Sequence, residues 1–471
     1  MTRTPLDPDG PTLRARLRDV ADRLVPWLER MRTEPVARLD GGRKAALALG
    51  SDWPEEGTPW RRLLALLDRA LATSLHTTSP GYLAYVPGGG LPDAAVAQLY
   101  ADLVNRFTTL WMPAPAFVRM EIDVIRWIAA MVGFGPQAGG LLLSGGSMAN
   151  LVAIHTARVA RLPEDFLEGV ILVGEQTHHS VGKAARIAGF PTRALEVVPS
   201  DERFRMSPDA LASAVTRLRE EGRRPFLVVA SAGTTAVGAV DDLLALAEIC
   251  AREGLWLHVD GAYGGFFALT ERGRAVLAGI ERADSVTLDP HKGLFLPYGT
   301  GALVVARRSD LRAAHASHGS YLPPPSEDDD AWDLADLGPE LSRDARGLRV
   351  WLPLRLHGFG AFRSALSDKL ELARVAADAV RVMPAVRLVS EPVLSLFAFR
   401  WEGPGDDLDR ANRRWLADTN QRGRVFLTGA TVPDPRDGRP IFVLRVCVLG
   451  LRTDRATIDA LIADLGETLP G

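Results

Sequence analysis

Of the four lysines in the chain (Lys44, Lys183, Lys292 and Lys369), one stands where an amine can do chemistry. Lys292 closes the run Ser285-Val-Thr-Leu-Asp-Pro-His-Lys-Gly293 and precedes the Gly-rich apolar return Gly299-Thr-Gly-Ala-Leu-Val-Val305. Burial at a strand end lowers a lysine's pKa and makes the amine nucleophilic, as a Schiff base with an aldehyde requires. A lysine that snorkels to solvent has the same local sequence. Ser144-Gly-Gly-Ser-Met-Ala-Asn150 lies between Leu141–Leu143 and a helical pattern. Glycines and hydroxyls at a helix N-terminus offer N–H groups and a positive dipole end to a phosphate, although a plain N-cap turn is composed alike. Gln176-Thr-His-His-Ser180 follows the strand-like Val170–Val173 and supplies His178 next to His179, whose rings would point apart on extended backbone. Leu257-His-Val-Asp-Gly-Ala-Tyr-Gly-Gly265 puts Asp260 at the end of a buried strand. A carboxylate there is costly unless it meets a cation or caps a turn.

The four clusters together suit one ligand, a phosphorylated pyridine ring bearing an aldehyde. The lysine holds the aldehyde, the helix N-terminus the phosphate, a carboxylate pairs with the ring nitrogen, and an imidazole lies on the ring face.

The elements that must position these residues are legible in the spacing. Leu13–Arg32 and Trp60–Thr73 have apolar residues at helical intervals. Between about residues 141 and 306, β-rich runs at 170–173, 194–198, 226–230, 255–259, 285–288 and 302–305 alternate with helical stretches such as Pro208–Glu221 and Asp241–Arg252. That alternation predicts a mainly parallel sheet covered on both faces, with ligands beyond the carboxyl ends of its strands. His318 to Gly338 is acidic and proline-bearing and reads as a mobile surface loop. Leu341–Lys369 reads as one long helix, and strands and helices alternate again from about Asp378, as in a smaller C-terminal α+β domain. The expected division is a helical segment with a pocket loop (1–88), a large ligand-binding domain (89–355) and a small domain (356–471).

Composition narrows the class. The 471 residues are 47% hydrophobic and 24% charged, and the net charge is -3. A globular protein is expected, with neither a nucleic-acid surface nor a membrane anchor. The apolar runs are far shorter than the roughly 20 residues of a membrane helix. Two cysteines, Cys250 and Cys447, exclude a disulfide scaffold and fit a reducing cytoplasm. No metal site is expected, because the nine histidines lack ligand spacing.

His258-Val-Asp-Gly-Ala-Tyr263, Asp289-Pro-His-Lys292 and Ser144-Gly-Gly-Ser147 closely resemble the pyridoxal-phosphate-dependent group II amino-acid decarboxylases, of which the aromatic-L-amino-acid decarboxylases are the best known. The resemblance extends from about Leu66 to Leu465. It includes Ser79–Gly88, Ala230-Ser-Ala-Gly-Thr-Thr235 and Leu341-Ser-Arg-Asp-Ala-Arg346 followed by Trp351. It implies the fold-type I α/β architecture, with pyridoxal 5'-phosphate anchored on Lys292. Asp260 would keep the pyridine nitrogen protonated and His178 would stack on the ring. Gly145, Gly146, Ser147 and His291 would lie near the phosphate, with Thr235 and Ala262 close to the ring. Tyr82, Tyr85 and Gly88 would line the substrate pocket. Tyr321, on the acidic loop, would return a proton to the substrate. A homodimer with shared active sites is implied as well.

The resemblance implies decarboxylation of an L-amino acid to the amine. Aldehyde formation by coupled oxidative deamination, and β-elimination from a sulfur-linked amino acid, are alternatives on the same scaffold. A non-catalytic cofactor-binding protein is a third. Aldehyde-forming relatives often replace the loop tyrosine, so Tyr321 favours the amine. Two departures point to a roomier pocket than usual: Gly293 follows the lysine, and Gly88-Gly-Gly90 stands where relatives have larger residues. Arg343, Arg346 and Arg445 are candidate carboxylate anchors, each with a structural ion pair as the competing reading.

Overall fold

A computed structural model describes residues 4, 6–50, 53–317, 319 and 330–470. Seven strands form the large sheet: β1 (Gly139–Leu143), β2 (Gly169–Gly174), β3 (Leu195–Val198), β4 (Arg224–Ser231), β5 (Trp256–Asp260), β6 (Ser285–Leu288) and β7 (Gly301–Val305). Their order is β1-β7-β6-β5-β4-β2-β3. The β6–β5–β4–β2–β3 pairs are parallel, and β7 runs antiparallel to both of its neighbours, β6 and β1. Two reversals across β7 restore the direction, so β1 runs with the parallel set. The carboxyl ends of β1, β2, β4, β5 and β6 therefore share one edge. β1 and β7 are buried along their whole length, and β2 likewise, as apolar strands covered on both faces must be.

A second sheet is antiparallel throughout, in the order β10-β11-β9-β8, from β8 (Val386–Ser390), β9 (Leu396–Trp401), β10 (Thr428–Pro433) and β11 (Pro440–Cys447). Phe397, Phe399, Trp415, Leu461 and Val380 form its core against the flanking helices. The expected α/β fold with a smaller C-terminal α+β unit is present. The segment containing Tyr82 and Leu83 is pinned to the small unit by the Tyr82–Phe426 bridge and the Cys447 N–H to Leu83 carbonyl bond. Gly81 permits this approach, because a Cβ there would lie 2.1 Å from the Arg424 carbonyl.

Two expectations are corrected here. The long helix starts at Arg346 and runs to Arg381, with non-helical backbone at Gly358. Residues 341–345 stay out of it because Arg343 turns inward. Its Nη2 is 2.7 Å from Glu121 and 2.6 Å from the Leu142 carbonyl. The stretch read as a surface loop ends in buried structure: Leu334–Leu337 is a 3-10 turn with Leu334 and Leu337 in the main core. Two guanidiniums, Arg308 and Arg126, lie over the Trp332 ring.

Arg343 and Glu121 are 1% and 2% exposed. Removing one partner of a buried pair strands the other charge. Glu121→Ala is expected to destabilise the protein by about 3–5 kcal/mol, read as a large fall in Tm. A change below about 1 kcal/mol would show that solvent reaches the pair.

His315 sits at the end of the helix Arg308–His315, 3.2 Å from Thr156 and with its ring centroid 4.9 Å from that of His155 at a 59° tilt. Burial first, then His155, lowers its pKa to about 4. The unfolded chain binds this proton more tightly, so the contribution is complete above about pH 6.5 and disappears as the pH falls through 4. His315→Gln should flatten the acid limb of the stability profile between pH 7 and 4 by about 3 kcal/mol. An unchanged limb in Tm against pH would contradict this.

Candidate active site

The shared sheet edge collects the chemistry. A cavity of about 300 Å³ is lined by Gly145, Gly146, Ser147, Thr235, Ala262 and His291, together with Lys292, Asp260, His178 and Asp289. They come from five strand ends, those of β1, β2, β4, β5 and β6. Gly145 caps the helix Gly146–Arg161 after β1, with φ +158, a conformation open to glycine. His178 lies between β2 and the helix Ser180–Ile187; Thr235 follows β4; Asp260 ends β5; Lys292 lies in the single turn Pro290–Gly293 after β6. That turn follows from Pro290, which sets the first helical φ and has no N–H to satisfy.

Lys292 Nζ is 2.9 Å from Asp289 Oδ2, and the Asp289 side chain is 2% exposed. Burial opposes the charge on Lys292, but Asp289 and then Asp260 outweigh it, and the pKa is raised. The expectation of a lowered pKa is thus overturned by Asp289, three residues before Lys292, with Asp260, distant in sequence, adding to it. The other Asp289 oxygen, Oδ1, is buried and has no hydrogen-bond partner among the described residues.

Asp260 accepts Asn150 Nδ2–H at 3.0 Å and the Ala262 N–H at 3.2 Å. His178 Nδ1 is 2.7 Å from Ser180 Oγ, and burial lowers its pKa against the opposing charge of Asp260, with His179 and Lys292 adding to the lowering, which favours the neutral imidazole. The rings of His178 and His179 do not point apart. Their centroids are 4.1 Å apart, because His179 already has helical backbone.

Tyr82, Tyr85 and Gly88 do not line this cavity. Tyr82 is core, and Tyr85 is exposed with φ +49. The roomier pocket expected from glycine is not there either. A Cβ on Gly89 would lie 2.2 Å from Phe295 Cα, one on Gly88 2.7 Å from the Tyr298 ring, and one on Gly293 2.5 Å from Phe266 Cβ. These glycines admit neighbouring side chains and backbone, not a larger ligand. Arg343 and Arg346 are committed to Glu121, Glu340 and Asp344. Arg445 differs: it donates to the Thr428 hydroxyl and to the Tyr85 and Thr235 carbonyls, with no carboxylate among its described bonding partners. Tyr321 lies outside the described residues. Asp289, Asn150 and Ser180 were missed in the sequence. Each stands within a quoted motif, Asp289 just past the end of β6 and Asn150 and Ser180 near the starts of their helices.

The arrangement fits pyridoxal phosphate on its own terms. An amine and a carboxylate face one cavity, a glycine cradle opens on a helix N-terminus, and the Asp289 oxygen is an orphaned acceptor. Fold and site together define a pyridoxal-phosphate enzyme of the fold-type I class. The chain matches the pyridoxal-dependent decarboxylase conserved domain over residues 44–402. It is 33% identical to an aromatic-L-amino-acid decarboxylase of Bacillus atrophaeus, covering 92% of this chain and 90% of that one. It is 34% identical to an L-2,4-diaminobutyrate decarboxylase of Rhizobium meliloti, covering 88% and 83%. The crystal structure of Oryza sativa TDC with PLP and tryptamine superposes with a TM-score of 0.92 at 25% identity, covering 99% of both chains. This chain belongs to the pyridoxal-dependent decarboxylase family and is a pyridoxal-phosphate-dependent carboxy-lyase.

Proposed function

We propose that the α-carboxylate of an L-amino acid is removed at the cavity walled by Lys292, Asp260 and His178, and that the amine is released. The observation that carries this is the convergence of those three groups from three strand ends on one cavity. The cofactor, when bound, supplies an electron-accepting ring. Lys292 Nζ anchors it, and the Asp260 carboxylate, held by two N–H donors, presents negative charge to its ring nitrogen. Gly145, Gly146, Ser147 and His291 surround its phosphate, Thr235 and Ala262 its ring. His178, neutral and braced on Ser180, lies against the ring and the substrate. Tyr321 returns a proton to the substrate carbon.

In this reading Tyr82, Tyr85 and Gly88 lie on the substrate side, outside the lining of the cavity itself. Support comes from Arg445, which ties Tyr85 to Thr235 and places a buried cation behind the cavity wall, suited to an acidic substrate group. The two curated relatives described above act on an aromatic and a diamino acid, so the substrate panel should include aromatic, acidic and basic L-amino acids. Amine and carbon dioxide from one of them support the reading. Aldehyde with hydrogen peroxide, or thiol with pyruvate, overturns it.

We read the chain as a homodimer with shared active sites. The 21-residue helix Gly10–Arg30 buries none of its side chains, and Leu24 and Val25 are exposed on it. Leu67 on Trp60–Ala72 and Val96, Tyr100 and Leu103 on Pro92–Val104 are also exposed. Helices so poorly packed gain stability from a partner. Light scattering should give twice the 50.9 kDa chain mass; a single-chain mass refutes the dimer. Two buried free cysteines support a cytoplasmic setting. The Gly358 break supports our division of the chain into 1–88, 89–355 and 356–471.

A further inference from the structure

We propose that Asn150 is a positioning residue that orients Asp260 and His178 together, at the end of a one-way hydrogen-bond chain that starts at Trp256. The proposal rests on the assignment of Asp260 and His178 to the site.

The sheet register creates the chain. β5 and β6 pair His258 with Ser285 and Asp260 with Thr287. Residues two apart on a strand share a face, so Trp256, His258, Asp260, Ser285 and Thr287 all lie on one face of the sheet. The helix Gly146–Arg161 crosses that face and brings Asn150 onto it. All of these side chains except Asp260 are buried, so each polar atom must find a partner within the group.

The partners leave one arrangement of protons. A carboxylate only accepts, so the Asn150 atom 3.0 Å from Asp260 Oδ2 is the amide nitrogen. Its oxygen then faces His258 Nε2 at 3.0 Å and the Thr287 hydroxyl at 2.9 Å, and both must donate. His258 is wholly buried and its pKa is lowered to about 4, so it carries one proton, on Nε2. His258 Nδ1 accepts from the Ser285 hydroxyl at 2.8 Å, and that oxygen accepts Trp256 Nε1–H, a group that can only donate, at 2.8 Å.

On the other side, the second Asn150 N–H reaches Ser180 Oγ at 3.1 Å. The Ser180 hydroxyl is left to donate to His178 Nδ1 at 2.7 Å, where the Ser180 backbone N–H also points, at 3.3 Å. His178 therefore carries its proton on Nε2. One amide gives a hydrogen bond to the carboxylate and, through Ser180, selects the tautomer of the imidazole. Charge-assisted donation of this kind is short and directional, and it fixes the orientation of the carboxylate.

Histidine-15N NMR of the cofactor-free protein tests the chain without relying on activity. Peaks are assigned by their loss in His178→Gln and His258→Gln. Both residues should show the Nε2–H tautomer. Ser180→Ala should mix the tautomers of His178 and leave His258 unchanged. Asn150→Ala should mix the tautomers of both residues and weaken cofactor binding tenfold or more. An Nδ1–H tautomer at His258 in the wild type overturns the proposal. So does a folded Asn150→Ala variant with both tautomers and the dissociation constant unchanged. Should Asn150→Ala not fold, the wild-type and Ser180→Ala spectra still decide. Loss of the predicted tautomers refutes the positioning role even where amine is formed, and absence of amine with the tautomers intact refutes the assigned reaction instead.

Discussion

Lys292→Ala is expected to lower amine formation by about 10⁴-fold or more, the scale seen when an enzyme loses its covalent group. No other lysine lines the cavity, so nothing can take over the anchoring of an aldehyde. The same change leaves Asp289, at 2% exposure, without the ammonium 2.9 Å away. Loss of activity could then be confused with loss of stability. Lys292→Arg separates the two. A guanidinium keeps the charge beside Asp289 but cannot serve as the nucleophilic amine. The expected result is a near-normal Tm for Lys292→Arg, with the visible absorption of lysine-linked cofactor missing and activity as low as in the alanine variant. More than a tenth of wild-type turnover in either variant, by mass spectrometry of the amine, would rule out Lys292 as the anchor.

Asp260→Asn should lower kcat by roughly 10²–10³-fold, the cost of removing one charged group aimed at developing charge in an enclosed site. The substitution keeps the shape of the side chain, but its one carbonyl oxygen can accept only one of the two N–H groups that hold Asp260, Asn150 Nδ2–H on Oδ2 or Ala262 N–H on Oδ1. What is lost is negative charge at the cavity wall, together with one accepted hydrogen bond. The effect should therefore fall on kcat more than on KM, as expected when an interaction acts mainly in the transition state. A change within threefold would place the electron-withdrawing role elsewhere, and Asp289 would be the next residue to replace.

Several of these residues could be read from the chain alone. Lys292, Asp260 and His178 each end or follow an apolar run, and a polar group at such a place is expensive enough to need a reason. The strand–helix alternation also determined the sheet and the edge at which those ends gather. Local sequence sufficed because strand length, turn chemistry and burial are properties of adjacent residues.

Whatever depended on residues distant in sequence was decided by the tertiary structure. The direction of the Lys292 shift follows first from Asp289, and Asp260, 32 positions away, adds to it only because the fold brings β5 and β6 to one cavity. The glycines at 88, 89 and 293 face Tyr298, Phe295 and Phe266, not open space, which only the packing of other segments reveals. Asn150 looked like any polar residue near a helix start until the pairing of β5 with β6 placed His258, Asp260 and Thr287 beneath it. Composition and periodicity determined which groups would be buried at the sheet edge. Only the register between strands determined which donor met which acceptor, because hydrogen bonds and charge pairs depend on ångström-scale distances that no spacing along the chain encodes.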